Sequence, residues 1–199
     1  MTIRVGVIGA TGRMGATVCA AIAADKNLEL VAAVDTASTG SVVQGVTVSK
    51  DLRALADAKV DVAVDFTVAA ASRVNLPWLA MHNMHAVVGT TGFTDQDIAD
   101  FGKIFTASNC IVAPNFAIGA VLMMRFAEIA APFFETAEII EIHHDGKADS
   151  PSGTAISTAK RMAAASKDWA KDPTTHEAIA GARGARGPAD IPIHAVRMR

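Results

Sequence analysis

Cysteine, aromatic residues and excess positive charge are all scarce in this chain, and each scarcity closes off a class of protein. Cys19 and Cys110 are the two cysteines in 199 residues. Each falls in an apolar helix or strand pattern, the setting of buried thiols in a reducing compartment rather than of a disulfide framework. Aromatics make up 5% of the chain against 51% hydrophobic residues, much of that Ala and Val, which suits Ala-rich helices packed on Val/Ile strands. Lys and Arg number 18 against 20 Asp and Glu, a net charge of −2, so there is no basic footprint for nucleic acid. The longest apolar stretch, residues 116–134, contains Arg125 and Glu128 and reads as a core helix, not a membrane span. No P-loop pattern with its lysine is present, which disfavours nucleoside triphosphates. The start, Met1-Thr2-Ile3-Arg4-Val5, leads into a strand and lacks signal-peptide features. The expectation is a cytoplasmic protein without membrane or nucleic-acid partners, and no internal repeat or low-complexity tract interrupts it.

What is present is an α/β alternation opening on a glycine turn. Residues 3–8 form a short apolar run, as in a central parallel strand. Gly9-Ala10-Thr11-Gly12-Arg13-Met14-Gly15 follows, then an Ala-rich helix to about residue 24, then a strand over 28–34 ending on Asp35. A turn that brings backbone N–H groups against a pyrophosphate needs residues without side chains at the close approach, and Gly9, Gly12 and Gly15 supply them. Asp35 stands where an acid accepts hydrogen bonds from an adenosine ribose, which favours NADH; Arg13 could accommodate a 2′-phosphate and so NADPH. The bland alternative is a tight turn in an unrelated α/β protein. Further strands over 60–66, 85–88 and 110–113 end in Asp65-Phe66-Thr67, Gly89-Thr90-Thr91-Gly92 and Pro114-Asn115-Phe116. Loops at the carboxyl ends of parallel strands form the ligand crevice, so these ends are expected to line the cofactor. A helix over 69–83 must tolerate Pro77, with a kink or break expected. His82 and His85 read as surface residues.

After Asn115 the pattern becomes α+β. A long helix over 118–131 leads to Pro132 and then to an alternating strand over 137–144, with Glu138, Ile140, Ile142 and His144 on one face and Ile139, Glu141 and His143 on the other. Ser150-Pro151-Ser152-Gly153-Thr154 then opens a helix to about residue 165 whose first-turn N–H groups are available to an anion. Lys147 sits in the loop between them, kept flexible by Gly146. Within thirteen residues the chain gathers two imidazoles, an ammonium and a helix start, the groups needed to hold a small polyanion and move protons beside it. A vicinal His pair is also compatible with a solvent-facing strand end, and Ser-Pro-Ser-Gly-Thr with an ordinary helix start. A metal site from His143, His144, Asp145 and Asp149 is disfavoured, because neighbours on a strand point to opposite faces and neither cysteine is near. Arg183 and Arg186 fall in a Gly-rich stretch that reads as a mobile loop, alternatively a lid meeting an anionic ligand. A last strand is expected over 191–198.

These motifs together resemble the dihydrodipicolinate (4-hydroxy-tetrahydrodipicolinate) reductase family. The resemblance is carried in family order by the 9–15 turn, Asp65-Phe66-Thr67, Gly89-Thr90-Thr91-Gly92-Phe93, Ala113-Pro114-Asn115-Phe116 and Glu141-Ile142-His143-His144 with Lys147 and Pro151-Ser152-Gly153-Thr154-Ala155. It implies a Rossmann-like, parallel-sheet dinucleotide-binding domain over 1–116, followed by an α+β substrate-binding and oligomerisation domain over 117–199. It further implies His143 and Lys147 as the proton-handling catalytic pair, and His144, Ser152, Gly153 and Thr154 as the substrate carboxylate site. Gly9, Ala10, Thr11, Gly12, Arg13, Met14, Asp35, Gly89, Thr90, Thr91, Ala113, Pro114, Asn115 and Phe116 are implied around NADH or NADPH, with no metal, in a homotetramer built through the second sheet. The implied reaction is reduction of a cyclic dicarboxylate in lysine and diaminopimelate biosynthesis. The chain departs from the family in carrying Asp145-Gly146 for Pro-His and Ser150 for Ala. Family members also continue for several dozen residues past Arg199, so the second domain is expected to be short at its C-terminus. Two other readings stand beside this one: a different NAD(P)-dependent amino- or keto-acid oxidoreductase, and a truncated or non-catalytic NAD(P)-binding protein.

Overall fold

Valine and isoleucine alternate with alanine-rich segments along the first half of the chain, and a parallel sheet covered by helices is the outcome. A computed structural model describes residues 2–113 and 115–199. It divides into two compact units, Met1–Ala113 and Pro114–Arg199.

In the first unit the order is β1 (Ile3–Ile8), α1 (Arg13–Ala24), β2 (Leu28–Val34), β3 (Val42–Val43), β4 (Val46–Ser49), α2 (Arg53–Asp57), β5 (Val62–Asp65), α3 (Ala69–Met81), β6 (His85–Val88), α4 (Asp95–Ile104) and β7 (Cys110–Val112). The strands form one sheet in the order β3-β4-β2-β1-β5-β6-β7, parallel throughout except for the β3/β4 hairpin. β1 sits in the middle, and its residues Val5, Val7 and Ile8 are buried. Apolar layers cover both sheet faces: Leu55, Leu76, Leu79 and Phe101 on one side, Cys19, Ile22 and Val48 on the other. Burial pushes the Cys19 thiol up to about 11, so it behaves as an inert packing group.

Two local features differ from expectation. Helix α3 runs through Pro77 without interruption. The 36–59 segment, for which no element was expected, holds the β3/β4 hairpin and α2. Its turn, Gln44-Gly45, has φ of 47° and 81°, the doubly positive pair that a two-residue hairpin with right-handed twist requires.

The second unit contains α5 (Ile118–Ala130), a 3-10 turn at Ala131–Phe133, β8 (Ile139–His144), α6 (Gly153–Ala165), β9 (Ala185–Arg186), a 3-10 turn at Pro188–Asp190 and β10 (Pro192–Met198). Its sheet has the order β8-β10-β9, β10 being parallel to β8 with Arg197 beside His143 and Met198 beside His144. The buried cluster is small: Ala155, Ala159 and Ile193, with Ile139 packed against it. The core helix expected over the apolar stretch is only partly realised, since α5 packs on α6 while Ile118, Phe126 and Ile129 remain exposed. Arg183 and Arg186 are engaged in ion pairs within this unit. Arg183 pairs with Glu138 at 2.6 Å and Asp172 at 3.0 Å, and Arg186 with Asp172 at 2.9 Å.

Candidate functional site

Each unit carries one cleft built from the residues that the sequence singled out. In the first, β1 ends at Gly9, whose φ of +78° opens the turn, and a Cβ on Gly15 would lie 1.9 Å from the Gly9 carbonyl oxygen. A side chain at either position is excluded by backbone, so the turn hugs the start of α1. Gly12 caps that helix without a side-chain bond. The adjoining cleft, about 600 Å³, is lined by Gly9, Thr11, Gly12, Asp35, Lys50, Phe66 and Thr67 among others. Asp35 closes its far side. Its Oδ2 accepts from the Thr11 backbone N–H at 3.0 Å and from Thr11 Oγ1 at 2.6 Å, and its Oδ1 from Ala37 N–H at 3.0 Å. Partial burial works against the charged form, but these donors outweigh it and hold the carboxyl below its ordinary range.

Beneath this cleft lies Asp65, which the sequence places among the strand ends expected to line the cofactor without giving it a role of its own. Asp65 is fully buried at the end of β5. It accepts from Thr67 N–H at 2.9 Å, Thr67 Oγ1 at 2.6 Å, Thr90 Oγ1 at 3.2 Å and Asn75 Nδ2 at 2.9 Å. One carboxylate thus ties the 65–67 and 89–91 loops to α3, which is how a buried charge is tolerated. Thr90 is buried in that network; Thr91 is exposed. A Cβ on Gly89 would fall 2.0 Å from the Phe66 ring, so this glycine makes room for Phe66. Ala10 is buried, and Arg13 and Met14 carry exposed side chains on the first turn of α1. Lys50 is the basic residue lining the cleft. Ala113 donates its N–H to Val88 O at 3.0 Å, and Pro114 lies outside the described residues.

The second cleft, about 450 Å³, is lined by Asn115, Met123, Glu141, His143, Ser152, Thr154 and Thr158 among others. Strand alternation puts Glu141 and His143 on the α6 side of β8. Asn115 Nδ2 lies 3.3 Å from Thr154 Oγ1, which places Asn115 with the His143 cleft in the second unit. Phe116 is half exposed. Ser152 caps α6, accepting from Ala155 N–H at 3.2 Å, and Gly153 is its first residue. His143 Nδ1 is bonded to Glu141, and Arg197 grips the same carboxylate at 3.1 Å through each terminal nitrogen. Burial raises the Glu141 carboxyl, yet Arg197, His143 and the Ser152 N–H together bring it below the usual range. His144, the last residue of β8, is exposed and points to the opposite face from His143. Lys147 Nζ is held by Asp149 Oδ1 at 2.6 Å, and Asp149 is brought below its ordinary range by that ammonium.

Two family models match the chain. The one described as "Dihydrodipicolinate reductase, N-terminus" matches residues 3–116, and the one described as "Dihydrodipicolinate reductase, C-terminus" matches residues 119–199. The chain belongs to the dihydrodipicolinate reductase family. It is 45% identical over 202 residues to the 4-hydroxy-tetrahydrodipicolinate reductase of Corynebacterium urealyticum, covering 98% of this chain and 76% of that protein. With the Streptomyces coelicolor reductase of the same name it shares 43%, over 99% of this chain and 76% of the relative. Among solved structures, the dipicolinate-bound dihydrodipicolinate reductase of Paenisporosarcina sp. TG-14 superposes with a TM-score of 0.80 at 39% identity, over 100% of this chain and 79% of that one. Reductases of this family use NADH or NADPH, and the N-terminal Rossmann-like domain binds the nucleotide. The glycine turn fits that role, since the close backbone approach it allows is blocked by any added Cβ at Gly15. Among the described residues, no helix is long and apolar enough to cross a membrane.

Proposed function

We propose that this chain reduces 4-hydroxy-tetrahydrodipicolinate to tetrahydrodipicolinate with NADH or NADPH, and that His143 and Lys147 handle the proton. Per turnover the substrate gains one hydride and one proton and releases one water. Bound in the first cleft, reduced nicotinamide supplies the hydride. The glycine turn and Thr11 would hold the pyrophosphate, Asp35 the adenosine ribose, and the 89–91 segment the rest of the dinucleotide. We divide the roles at 116/117, with the later residues binding substrate and forming a homotetramer through their sheet in the cytoplasm.

The substrate side follows from charge. Two carboxylates need cations and N–H donors, and Lys147 and the Ser152-Gly153-Thr154 start of α6 offer them. Loss of the 4-hydroxyl as water would leave a conjugated C=C–C=N unit, and hydride addition to its far carbon would put negative charge on the ring nitrogen and on the carbon two bonds from it. An imidazole is well suited to deliver the proton that neutralises it, since it changes charge near neutrality. The observation that carries the reading is His143 lining one cleft with Ser152, Thr154 and Asn115, in a chain more than 40% identical to reductases of that name.

The test is an absorbance assay of NADH oxidation with the substrate generated in place. His143→Gln and Lys147→Ala are each expected to lower kcat by about 10²–10⁴, the range for a lost general acid. Wild-type turnover in both variants would overturn the assignment, and an inactive wild type that still binds NADH would leave only a nucleotide-binding role.

A further inference from the structure

Glu141 is the buried acid of the second cleft: its side chain is 7% exposed, against 36% for His143. Four nitrogens converge on it. They are His143 Nδ1, both terminal nitrogens of Arg197 at 3.1 Å, and the backbone N–H of Ser152 at 3.1 Å. Arg197 also donates to the Asp149 carbonyl at 2.6 Å, so the same guanidinium fastens the loop that carries Lys147. Glu141 and His143 are two apart on β8 and therefore share a face. Arg197 stands beside His143 on β10.

We propose that Glu141 is a positioning residue, holding His143 in the Nδ1–H tautomer so that Nε2 is the nitrogen presented to a ligand, with Arg197 clamping the carboxylate. This rests on the reading of His143 as the proton-handling group. An ionised carboxylate only accepts, so the imidazole nitrogen facing it must carry the hydrogen. Nε2 is then free to give up and regain the proton that the reaction consumes. A lone buried carboxylate would be costly, and the planar fork of Arg197 offsets that cost while fixing the angle of the acid. The Ser152 bond adds a further constraint: one carboxylate sets the distance between His143 and the start of α6, the two parts of the proposed substrate site. Glutamine cannot replace it. An amide has one oxygen, and its NH₂ would face Arg197 and Ser152 N–H in one orientation, or Arg197 and His143 in the other. The second orientation favours an accepting Nδ1 and so the opposite tautomer.

The experiment combines long-range ¹H–¹⁵N imidazole spectra of the full chain, assigned against His143→Gln, with kcat, KM and thermal melts. Wild-type His143 is expected to be protonated on Nδ1. In Glu141→Gln the hydrogen moves to Nε2 and kcat falls about 10²-fold while KM for the substrate stays within about threefold. Glu141→Asp restores the Nδ1–H signal and most of kcat. An unchanged tautomer together with an unchanged kcat in Glu141→Gln, or a raised KM with kcat intact, overturns the proposal. Should Glu141→Gln fail to fold, the wild-type spectrum decides alone, and protonation on Nε2 sinks it. A wild type that oxidises no NADH with the substrate counts against the reductase reading, while the spectrum still tests the tautomer.

Discussion

The two clefts are made from different materials. In the first unit the ligand surface is mostly backbone and small side chains, set on a sheet whose two faces are covered by apolar layers. In the second, the ionisable side chains of Glu138, Glu141 and His143 stand among neutral polar and apolar ones, beside a small buried cluster of Ala155, Ala159 and Ile193. The first is therefore vulnerable to added atoms and the second to removed charges. A turn whose amides must approach a pyrophosphate has no tolerance for a Cβ, whereas a proton-handling site needs groups that change charge, and such groups must be held by other charged groups when they lie near the interior.

The largest effect that separates the clefts is expected from adding a single methyl group. In Gly15→Ala the new Cβ meets the Gly9 oxygen at 1.9 Å, and the backbone has to move. Overpacking of this kind costs about 1–3 kcal/mol, and NADH affinity should fall at least about tenfold for each 1.4 kcal/mol lost from the aligned turn. Gly153→Ala is the counterpart in the second unit. Its Cβ would meet nothing within 4 Å, so its melting behaviour should stay within about 0.5 kcal/mol of wild type. Fluorescence titration with NADH and thermal melts check both. Equal losses in the two variants would erase the distinction between the clefts.

That contrast also decides what was legible in the sequence. The first cleft was readable because its parts are local: strand, glycine turn, helix, strand and Asp35 follow one another within 35 residues, and each signals itself by periodicity or by a missing side chain. The β3/β4 hairpin was missed although Gln44-Gly45 stands between valine-rich runs, a weaker turn signal than Asn-Gly. In the second cleft the His143 face was legible from strand alternation, and Glu141 could have been found by the same two-residue step. Arg197 could not: it lies 56 residues from Glu141, and only the parallel pairing of β10 with β8 brings them together. Lys50 escaped for a similar reason, since nothing in its neighbourhood along the chain shows that it borders the nucleotide cleft, and the buried network of Asp65 draws in Asn75 and Thr90 from further along the chain. For α5, apolar composition indicated burial, but a helix buries only the stripe that finds a partner.

Lys50 sharpens the comparison, being the cationic side chain that lines a cleft whose acid is Asp35. It lines the wall shared by Asp35, Thr36, Ala37 and Ser38. An ammonium there favours a 2′-phosphate, while Asp35 favours a free ribose hydroxyl. Lys50→Ala is expected to raise KM for NADPH by roughly tenfold, about 1.4 kcal/mol, with KM for NADH little changed. Parallel kinetics with the two cofactors measure it. An equal change in both would remove Lys50 from cofactor selection, and Arg13→Ala would then be the next variant to measure.

The smallest expected effect concerns acid, where the charge-built unit should show its dependence most directly. The Arg183 guanidinium, and after it His194, hold the Glu138 carboxyl down at about 2, against an ordinary value of 4.5. Because the folded value lies below the unfolded one, the fold gains stability as pH rises. The contribution is complete above about 4.5 and disappears as pH falls from there towards 2. Glu138 is 43% exposed and Arg183 30% exposed, so water and salt screen the pair and its share is small. Glu138→Gln should therefore melt below wild type at neutral pH, and the two curves should converge as pH approaches 2. The difference should also shrink with added salt. A gap between the variant and wild type that stays constant across this range would mean that Glu138 acts by packing rather than by charge.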